Sequence, residues 1–550
     1  MNYDFRRIDV AFKNGKVITV DEHDTLAEAV GIKGNKIVFV GTNEELDTLV
    51  DSSTKVIDLQ GRSLTTGFID THIHPFLIGS LGDDPDSPMI NLFGDRATSV
   101  HGILDKIREV LTVKKPGEWI SMWGYEVYNL EEHRDPTLEE LDAVAPENPG
   151  QCMEGSGHKS MFNSKALETI GVYSAADASK YPEGNIEVKD GKLTGMVYGI
   201  TVFLLWSKVT FTPSGLEKAA LSCSDAFVKA GLTSIHDMGA FDKPCYHIMQ
   251  KLCRERRFKP RVYMALHSVF GKPFSLEDNE HLLALGYQTG LGDEFFRVGS
   301  CKFMIDGGSS GPSCFTREPY SHDPTKQREK AWDREEVAAY IKKINDAECQ
   351  ATAHAIGDGA IEYMVEGYEK AFAENPRPDL RHRIEHCSLT DQDLIDRMAK
   401  MNICPSVNAP MVGKNGSAYA RFFGERNKYF GALRSMLDAG IKCSIQSDAP
   451  SGPFGIPSLD AIVNRYDRVH NVQCDRTQAI SVLEAVRCFT LNGAYASYEE
   501  NIKGSIEVGK LADLVVLSDD ILEIPPMSLI DTKVDLTMIG GEIVYTREDA

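Results

Sequence analysis

Four segments in the middle of the chain each pass from a short apolar run into an amphipathic stretch, the pattern of a β-strand followed by an α-helix. The strand parts are LTSIHDMG (232–239), CQATAHAIG (349–357), RHRIEHCSL (381–389) and IKCSIQSDA (441–449). Strands that alternate with helices form a parallel sheet, and this many units predict a barrel or a doubly wound sheet. With 550 residues, 42% of them hydrophobic, the chain can fill a barrel occupying more than half of its length.

The two ends of the chain are rich in β-strand signals instead. Residues 8–65 alternate short apolar runs with turns, and the segments 13–16 and 33–36 read as hairpin turns because Asn and Gly accept positive φ. The segment DLTMIGGEIVYT (535–546) has the same character. We therefore predict one β-sandwich built from both termini. Residues from about 80 to 215 break the strand–helix rhythm and predict an inserted subdomain.

These patterns divide the chain into five parts. The predicted parts are the N-terminal half of the sandwich (1–65), the first barrel strand (66–80), the inserted subdomain with parts of the barrel (81–214), the main barrel (215–497) and the C-terminal half of the sandwich (498–550).

Composition excludes several classes of partner. A formal net charge of −22 argues against nucleic acid and anionic membranes, because both require a basic surface. The twelve cysteines are scattered without a CxxC pair, which is typical of a reducing compartment. The polar opening sequence has no hydrophobic signal core, and no apolar run is long enough to cross a bilayer. We predict a cytoplasmic protein that binds neither nucleic acid nor membrane.

The segment GFIDTHIHP (67–75) carries the first candidate metal ligands. Side chains alternate along a strand, so Asp70, His72 and His74 share one face. Two imidazoles with a carboxylate behind them can bind a divalent metal, and zinc favours imidazole nitrogen. A His-x-His pair that is satisfied by ordinary hydrogen bonds is an equal alternative until distant partners are found.

Lys302 is the next candidate, in the strand-like segment FRVGSCKFMIDGG, where it shares a face with Asp306. An inward-facing ammonium is costly unless it is paired, neutralised or modified. A carboxylated lysine that bridges two metals would remove that cost. The alternative is a lysine paired with a carboxylate such as Asp306.

Three later residues also end predicted strands. His354 and His386 close consecutive strands, at the end where barrels place their chemistry. Each alone could be a hydrogen-bonded core residue. Asp448 ends the strand IKCSIQSDA, where the alternative is a turn or helix-cap carboxylate before a proline. Arg383 and Glu385 alternate with His386 and are predicted to pair between the barrel and its helices. In chain order, the set His-x-His, Lys, His, His, Asp predicts a metal centre.

At this point the sequence resembles the amidohydrolase superfamily, and within it the amidohydrolase-3 branch of amide and N-acyl hydrolases. The matching segments are GFIDTHIHP (67–75), HKSMFNSKAL (158–167), GLTSIHDMG (231–239), VGSCKFMIDGGSSG (298–311), ATAHAIGDGAI (351–361), RIEHCSL (383–389), SIQSDAP (444–450) and GSIEVGKLADLVVLSDD (504–520). The resemblance implies a distorted (β/α)8 TIM barrel, a β-sandwich from both termini and a subdomain inserted after the first barrel strand.

The resemblance also implies roles for the metal-centre residues. His72, His74 and Asp448 would bind the more buried metal, and His354 and His386 the second. Lys302, carboxylated at its side-chain nitrogen, would bridge them. The expected cofactor is a pair of Zn²⁺ ions, with other transition metals and one-metal occupancy left open.

Further residues are expected near the substrate or behind the ligands. The resemblance places His158 and Asn163 near the substrate, with a role in ordering the subdomain as the alternative for His158 and a helix cap for Asn163. His158 and His236 are candidates for stabilising the oxyanion or orienting the leaving group. Arg317 belongs to a predicted substrate-facing loop (306–320). Asp70 and Asp306 are candidates for orienting the ligands from behind.

The implied activity is hydrolysis of a non-peptide C–N bond, in a linear amide or an N-acyl or N-formyl compound. A metal-bound hydroxide would attack the carbonyl carbon, with Asp448 as general base and then acid. The nearest alternative is a deaminase or cyclic-amide hydrolase, which Lys302 disfavours because such deaminases usually lack the bridging lysine. A non-catalytic scaffold or regulator is the alternative of another class. The expected partners are a small-molecule amide and a second copy of the chain in a homodimer.

Overall fold

A sheet of eight parallel strands forms the centre of the described structure. The computed structural model describes residues 8–181, 184–206, 209, 211–239, 243–267, 277–309, 313–325, 330–414 and 416–548. The eight barrel strands in chain order are Phe68–Ile73, Leu232–Asp237, Arg261–His267, Phe296–Met304, Ala351–Ala355, Arg383–His386, Cys404–Asn408 and Ser444–Gln446. Each strand after the first pairs in parallel with the barrel strand before it along the chain. This order confirms the predicted (β/α)8 barrel.

The first and eighth barrel strands meet at a seam that side chains join. Thr71 Oγ1 donates to the carbonyl oxygen of Ile445 at 2.9 Å and lies 3.1 Å from Ser444 Oγ. Beyond the end of the eighth strand, the backbone N–H of Asp448 donates to the carbonyl of His72 at 2.9 Å. The seam therefore holds the loop after the last strand beside the end of the first strand.

Helices pack against the outside of the barrel and against the further sheets of the structure. The α-helices of the described residues are Asn43–Asp47, Pro75–Ser80, Val100–Val110, Leu138–Val144, Ser164–Glu168, Ile200–Trp206, Pro213–Lys229, Lys243–Arg254, Glu277–Ala284, Arg334–Asp346, Asp358–Glu374, Gln392–Lys400, Ala409–Lys414, Gly416–Phe423, Leu433–Asp438, Ile456–Asn464, Val482–Cys488 and Leu491–Ala496. The segment Arg334–Asp346 begins at an Asp333–Glu336 capping box and buries Val337 and Ile341 against the barrel. Across the described ranges, no helix has the length and apolar character needed to cross a membrane.

Two further sheets pack face to face as the predicted β-sandwich. One contains Val10–Lys13, Ala29–Lys33, Lys36–Gly41 and Lys55–Asp58, and the other contains Lys16–Ile18, Leu26–Ala27, Ser63–Thr66, Leu514–Leu517, Val534–Ile539 and Glu542–Thr546. Phe12 and Val30 from the first sheet pack with Leu64, Leu514 and Met538 from the second. Both ends of the chain thus supply one apolar core.

The two predicted hairpins of the N-terminal region have different outcomes. Lys33 pairs with Lys36 across an antiparallel hairpin in which Gly34 adopts a φ of 55°. The prediction for the segment 13–16 is wrong, because Val10–Lys13 and Lys16–Ile18 lie in different sheets. Each of these strands pairs in parallel with a later segment, so long-range pairing overrides the local turn signal.

The segment that follows the first barrel strand forms a separate sheet. Among the described residues, its strands are Leu81–Gly82, Met89–Asn91, Ile120–Tyr125, Gly150–Glu154, Lys159–Phe162, Ile186–Lys189 and Lys192–Tyr198. Helix Val100–Val110 packs Ile103 and Ile107 into the core of this inserted unit. The turn between the fourth and fifth of these strands, residues 155–158, extends to the carboxyl-terminal end of the barrel and lines its pocket.

A further pair of short strands, Tyr466–Asp467 and Val472–Gln473, lies outside these sheets.

Candidate active site

The ends of five barrel strands bring the predicted metal ligands together. His72 belongs to the first strand, Lys302 to the fourth, His354 to the fifth and His386 to the sixth, while Asp448 follows the eighth. In the described part of the chain, candidate ligand atoms of His72, His386 and Asp448 all lie within 4.8 Å of one another. Residues far apart in the sequence therefore form one compact group of nitrogen and oxygen donors.

His74 and His354 complete this group. His74 directly precedes the helix Pro75–Ser80, and its Nε2 lies 3.3 Å from Oδ1 of Asp448. The ring centroids of His354 and His386 are 4.4 Å apart. His354 Nε2 is 3.2 Å from the carbonyl oxygen of Gly307, which accepts a hydrogen bond from the Nε2–H group. Its Nδ1 atom is then the one with a lone pair for a metal.

Lys302 faces the interior of the barrel and is almost fully buried. Its Nζ atom lies 3.0 Å from Nε2 of His72. Burial lowers the pKa of Lys302 to about 8, which increases the fraction of neutral amine, the form that carboxylation requires. The alternative partner, Asp306, accepts backbone N–H groups of Ile356 and Gly357 at 3.0 and 2.9 Å. Asp306 therefore anchors the loop after His354, and its orientation of the ligands stays a prediction.

Glu385 orients His72, a role that the sequence interpretation missed. Its Oε2 atom lies 2.9 Å from Nδ1 of His72, so the carboxylate accepts the Nδ1 proton and leaves Nε2 as the ligand atom. Burial lowers the pKa of His72, as it does for His354 and His386. These rings are therefore neutral, which is the form of imidazole that binds a metal.

The predicted location of the Arg383–Glu385 pair is wrong. The two residues do form an ion pair, with Arg383 Nε 2.9 Å from Glu385 Oε1, but both are fully buried inside the barrel. Strict alternation would then turn His386 outward. His386 instead has a φ of 67°, and this left-handed backbone breaks the alternation and returns its ring to the site. The sequence signal for this buried location was the Arg383–Glu385 pair itself, because it lies in a strand that was predicted to belong to the barrel.

Asp70 and Asn408 support the ligands from behind. Asp70 Oδ1 accepts the backbone N–H of His72 at 3.2 Å and that of Ser447 at 3.1 Å. Burial raises the pKa of Asp70 to about 7. Asn408 Nδ2 donates to Oδ2 of Asp448 at 3.4 Å. Asp70 thus contacts the backbone beside His72 and the loop before Asp448, and its orienting role stays a prediction. The sequence interpretation missed Asn408 because an isolated asparagine carries no motif.

A pocket of about 530 Å³, counting space open to solvent, lies over the ligand group. His354, Asn408 and Asp448 line its base. The ring of His158, from the inserted unit, lies 5.1 Å from that of His354, and enclosure lowers its pKa to about 4. His158 therefore lines the same pocket as the candidate ligand His354.

The other three residues predicted near the substrate lie elsewhere. Asn163 caps the helix Ser164–Glu168: its Oδ1 accepts N–H groups of Gly150 and Ala166, and its Nδ2 donates to two carbonyls of the same unit. This is the helix-cap alternative. His236 accepts a hydrogen bond from Arg383 Nη1 at 2.9 Å, within the fully buried network behind His72.

Arg317 is held by acidic residues on two barrel helices. Its Nη2 lies 2.8 Å from Glu362 Oε1, and its Nη1 pairs with Asp391. Its backbone N–H donates to Asp358 Oδ1 at 2.9 Å. The guanidinium thus fastens the loop to the barrel wall. Residues 310–312 of the predicted substrate-facing loop lie outside the described residues.

The donor set fits a divalent metal. Neutral imidazoles, a carboxylate and an inward-facing lysine amine are nitrogen and oxygen donors, which borderline ions such as zinc accept. Glu385 fixes the ring orientation of His72, an arrangement that recurs behind metal-binding histidines.

A (β/α)8 barrel with this ligand group at its carboxyl-terminal end defines a metal-dependent hydrolase. The chain belongs to the amidohydrolase family, whose sequence model matches residues 55–545. Members of this family are hydrolases that act on C–N bonds.

Two sequence relatives and one solved structure share nearly the whole chain. An N-substituted formamide deformylase of Arthrobacter pascens is 27% identical over 98% of both chains. A putative amidohydrolase of Bacillus subtilis (strain 168), YtcJ, is 27% identical over 97% of this chain and 98% of its own. An uncharacterised metal-dependent hydrolase of Pyrococcus horikoshii OT3 covers 94% of this chain and 99% of its own, with a TM-score of 0.72 at 19% identity. The last comparison supports the fold.

Proposed function

We propose that the protein hydrolyses linear amides, with N-formyl and other N-acyl amines as its substrate class. The observation that carries this proposal is the position of Lys302, whose amine lies 3.0 Å from His72 within a complete set of ligands. A bridging lysine disfavours the deaminase alternative, and the complete set disfavours a non-catalytic scaffold. The relative from Arthrobacter pascens, by its name, removes formyl groups from N-substituted formamides, which supports the substrate class.

The proposed cofactor is a pair of Zn²⁺ ions. His72, His74 and Asp448 would hold one ion and His354 and His386 the other, with Lys302 between them as a carboxylated lysine. When bound, the metals supply Lewis-acid polarisation of the amide carbonyl and of the attacking water.

Asp448 is the residue placed to move the proton. Its side chain is 16% exposed and lines the pocket, whereas His72 beside it is 1% exposed. Asn408 donates to Oδ2 of Asp448, so one carboxylate oxygen is oriented while Oδ1 points towards His74. We assign Asp448 the acceptance of a proton from water and its delivery to the departing amine nitrogen.

His158 is placed to bind the carbonyl oxygen of the substrate. Its low pKa, about 4, keeps the ring neutral near pH 7, so it acts as a hydrogen-bond donor without charge. His158 comes from the inserted unit and His354 from the barrel. Substrate therefore binds between the two units, with its carbonyl facing the ligand group.

The proposal is tested with protein reconstituted with Zn²⁺ and assayed for formate, acetate and ammonia release. N-formyl and N-acetyl alkylamines should be hydrolysed, whereas cyclic amides and aminopurines should not. Asp448→Asn should lower kcat by about 100-fold or more, the size expected for loss of a general base. Asp438→Asn, at an exposed helix end, is the control and should be active. Ammonia release from aminopurines by fully metallated protein would contradict the proposal.

We also propose a cytoplasmic location and a homodimer. All twelve cysteines are free thiols, and eleven of them are buried, which agrees with a reducing compartment. Light scattering of the purified protein tests the dimer, and fractionation of cells tests the location.

A further inference from the structure

His158 reaches the pocket on a tight turn of the inserted unit. The turn, residues 155–158, connects two antiparallel neighbours, the strands Gly150–Glu154 and Lys159–Phe162. Within it, Gly157 adopts a left-handed φ of 77°, which glycine accepts without strain. The direction of the His158 ring therefore depends on how this turn is held.

The side chain of Glu154 closes over the turn. Its Oε2 atom accepts the backbone N–H of Ser156 at 3.0 Å and the hydroxyl of Ser156 at 2.5 Å. The Oγ atom of Ser156 in turn accepts the backbone N–H of His158 at 3.3 Å. Hydrogen bonds therefore connect a buried carboxylate, through one serine, to the residue whose ring lines the pocket.

The other side of His158 is fixed as well. Its carbonyl oxygen accepts the N–H of Gly199 at 2.8 Å. A Cβ atom added at Gly308 would lie 3.2 Å from Cδ2 of the His158 ring, so the ring packs against the loop after the fourth barrel strand. The ring centroid of His354 is 5.1 Å away. A small shift of the turn would therefore change the distance between His158 and the ligand group.

Glu154 acts on the pocket through the turn rather than directly. It is buried, and it is absent from the described residues that line the pocket. Burial, and after it the charge of Glu126, raises the pKa of Glu154, while the two Ser156 donors favour the ionised form. Hydrogen bonds to an ionised acceptor are about twice as strong as those between neutral groups. The carboxylate thus holds the turn more firmly than a neutral side chain would.

We propose that Glu154 is a positioning residue for His158, that it acts through Ser156, and that it sets the place of the His158 ring against the substrate carbonyl. This inference rests on the proposed function, in which His158 binds that carbonyl. Loss of a hydrogen bond to a charged group corresponds to a change of about 10- to 100-fold.

A double-mutant cycle tests the link between the two residues, with N-formylpentylamine as substrate and rates expressed per bound Zn²⁺. Glu154→Ala should lower kcat/KM by about 10-fold or more. In a His158→Ala background the same change should alter kcat/KM by less than about two-fold, because its effect passes through the missing ring. Glu154→Gln keeps an acceptor oxygen and should recover most of the activity. Equal factors in the two backgrounds overturn the inference.

Glu132→Ala is the matched control. Glu132 also belongs to the inserted unit, and its carboxylate also accepts a backbone N–H, that of Val100 at 2.8 Å. Its kcat/KM should stay within about two-fold of the unaltered protein. Ser156→Ala removes the hydroxyl that joins Glu154 to His158 and should reproduce the loss seen in Glu154→Ala. An unchanged kcat/KM in Ser156→Ala overturns the inference.

Crystal structures separate this inference from the proposed function, because they require no turnover. In Glu154→Ala the His158 ring should move by about 1 Å or more relative to His354, a misplacement large enough to account for the loss of rate. Ser156→Ala should show the same movement and serves if Glu154→Ala does not fold. A displaced ring in a protein that releases no formate would retain the positioning role and reject the hydrolysis. A ring that stays in place overturns the inference, whatever the activity.

Discussion

The amine of Lys302 and the imidazole of His72 meet at 3.0 Å, although they belong to the fourth and first barrel strands. The other nitrogen of His72 is held by Glu385 at 2.9 Å. The ring therefore lies between an acidic residue and a lysine whose pKa is lowered by burial to about 8. This contact is the geometric basis for the proposed role of Lys302 in the metal centre.

Replacement of Lys302 should empty or weaken the metal centre. Lys302→Met removes the amine, and we expect the metal content to fall and kcat to drop by about 100-fold or more. Lys302→Glu supplies a carboxylate at the same position and should retain more metal than the methionine variant. Metal content is measured by elemental mass spectrometry. The control is Lys503→Met, because Lys503 is also buried but pairs with Glu499 at 2.8 Å. This variant should keep its metal. Equal metal content in both methionine variants would contradict the prediction.

Replacement of Glu385 should weaken metal binding through His72. In Glu385→Ala the Nδ1 proton of His72 loses its acceptor, and the affinity for Zn²⁺ should fall by about 10- to 100-fold. The variant also leaves Arg383 buried without its partner, at a cost of about 3–5 kcal/mol in the free energy of unfolding. The double variant Arg383→Met/Glu385→Ala should recover part of that stability but none of the affinity. Chelator competition and urea unfolding measure the two quantities separately.

Asn163→Ala should affect stability without affecting substrate binding. Loss of the helix cap and of two carbonyl partners should lower the free energy of unfolding by about 1–3 kcal/mol. KM for an N-formyl amine should change by less than about two-fold, because Asn163 hydrogen bonds are made within the inserted unit. Asn163→Asp keeps the acceptor oxygen and should retain part of the stability. A large rise in KM with an unchanged unfolding midpoint would restore the substrate-binding role.

His382 should make the protein less stable in mild acid. Burial lowers its pKa to about 3, while its Nδ1 accepts the N–H of Ala351 and its Nε2 contacts Asn345. The unfolded chain binds a proton near pH 6.5 and the folded chain does not, so the contribution of His382 is complete above pH 6.5 and decreases as pH falls towards 3. Each pH unit in this range removes about 1.4 kcal/mol.

The comparison of unaltered protein with His382→Gln isolates this effect. Between pH 7.5 and 5.5, the unaltered protein should lose about 1.4 kcal/mol more of its free energy of unfolding than the variant does. The exposed His281 provides the control His281→Gln, whose pH dependence should equal that of the unaltered protein. Parallel curves for the His382 variant and the unaltered protein would show that the ring titrates in the folded state.

The grouping of the candidate metal ligands could be predicted from the sequence, because barrel architecture relates position in a strand to position in space. His72, His354 and Asp448 all lie at or just after strand ends, and the carboxyl-terminal ends of parallel strands meet on one side of the barrel. Hydrophobic runs reveal those ends without any knowledge of contacts.

The remaining roles depend on information that periodicity does not carry. Glu385 was assigned to the wrong side because the left-handed backbone at His386 breaks the alternation at the end of the strand. Arg317 pairs with Glu362 and Asp391, which lie 45 and 74 residues further along the chain. No local sequence pattern predicts such contacts. Asn163 is ambiguous in sequence, because a helix cap and a ligand-binding amide have the same chemistry.

The barrel seam has a consequence for how the enzyme is made. Asp70 and the loop that carries Asp448 are joined by a hydrogen bond to Ser447, across 377 residues of chain. During synthesis on the ribosome, the first strand emerges long before the eighth. His72 and His74 therefore cannot contact Asp448 until the end of the barrel has been made. The complete ligand group cannot exist on a nascent chain until the last barrel strand has emerged. Binding of a metal by the complete group would therefore follow closure of the barrel.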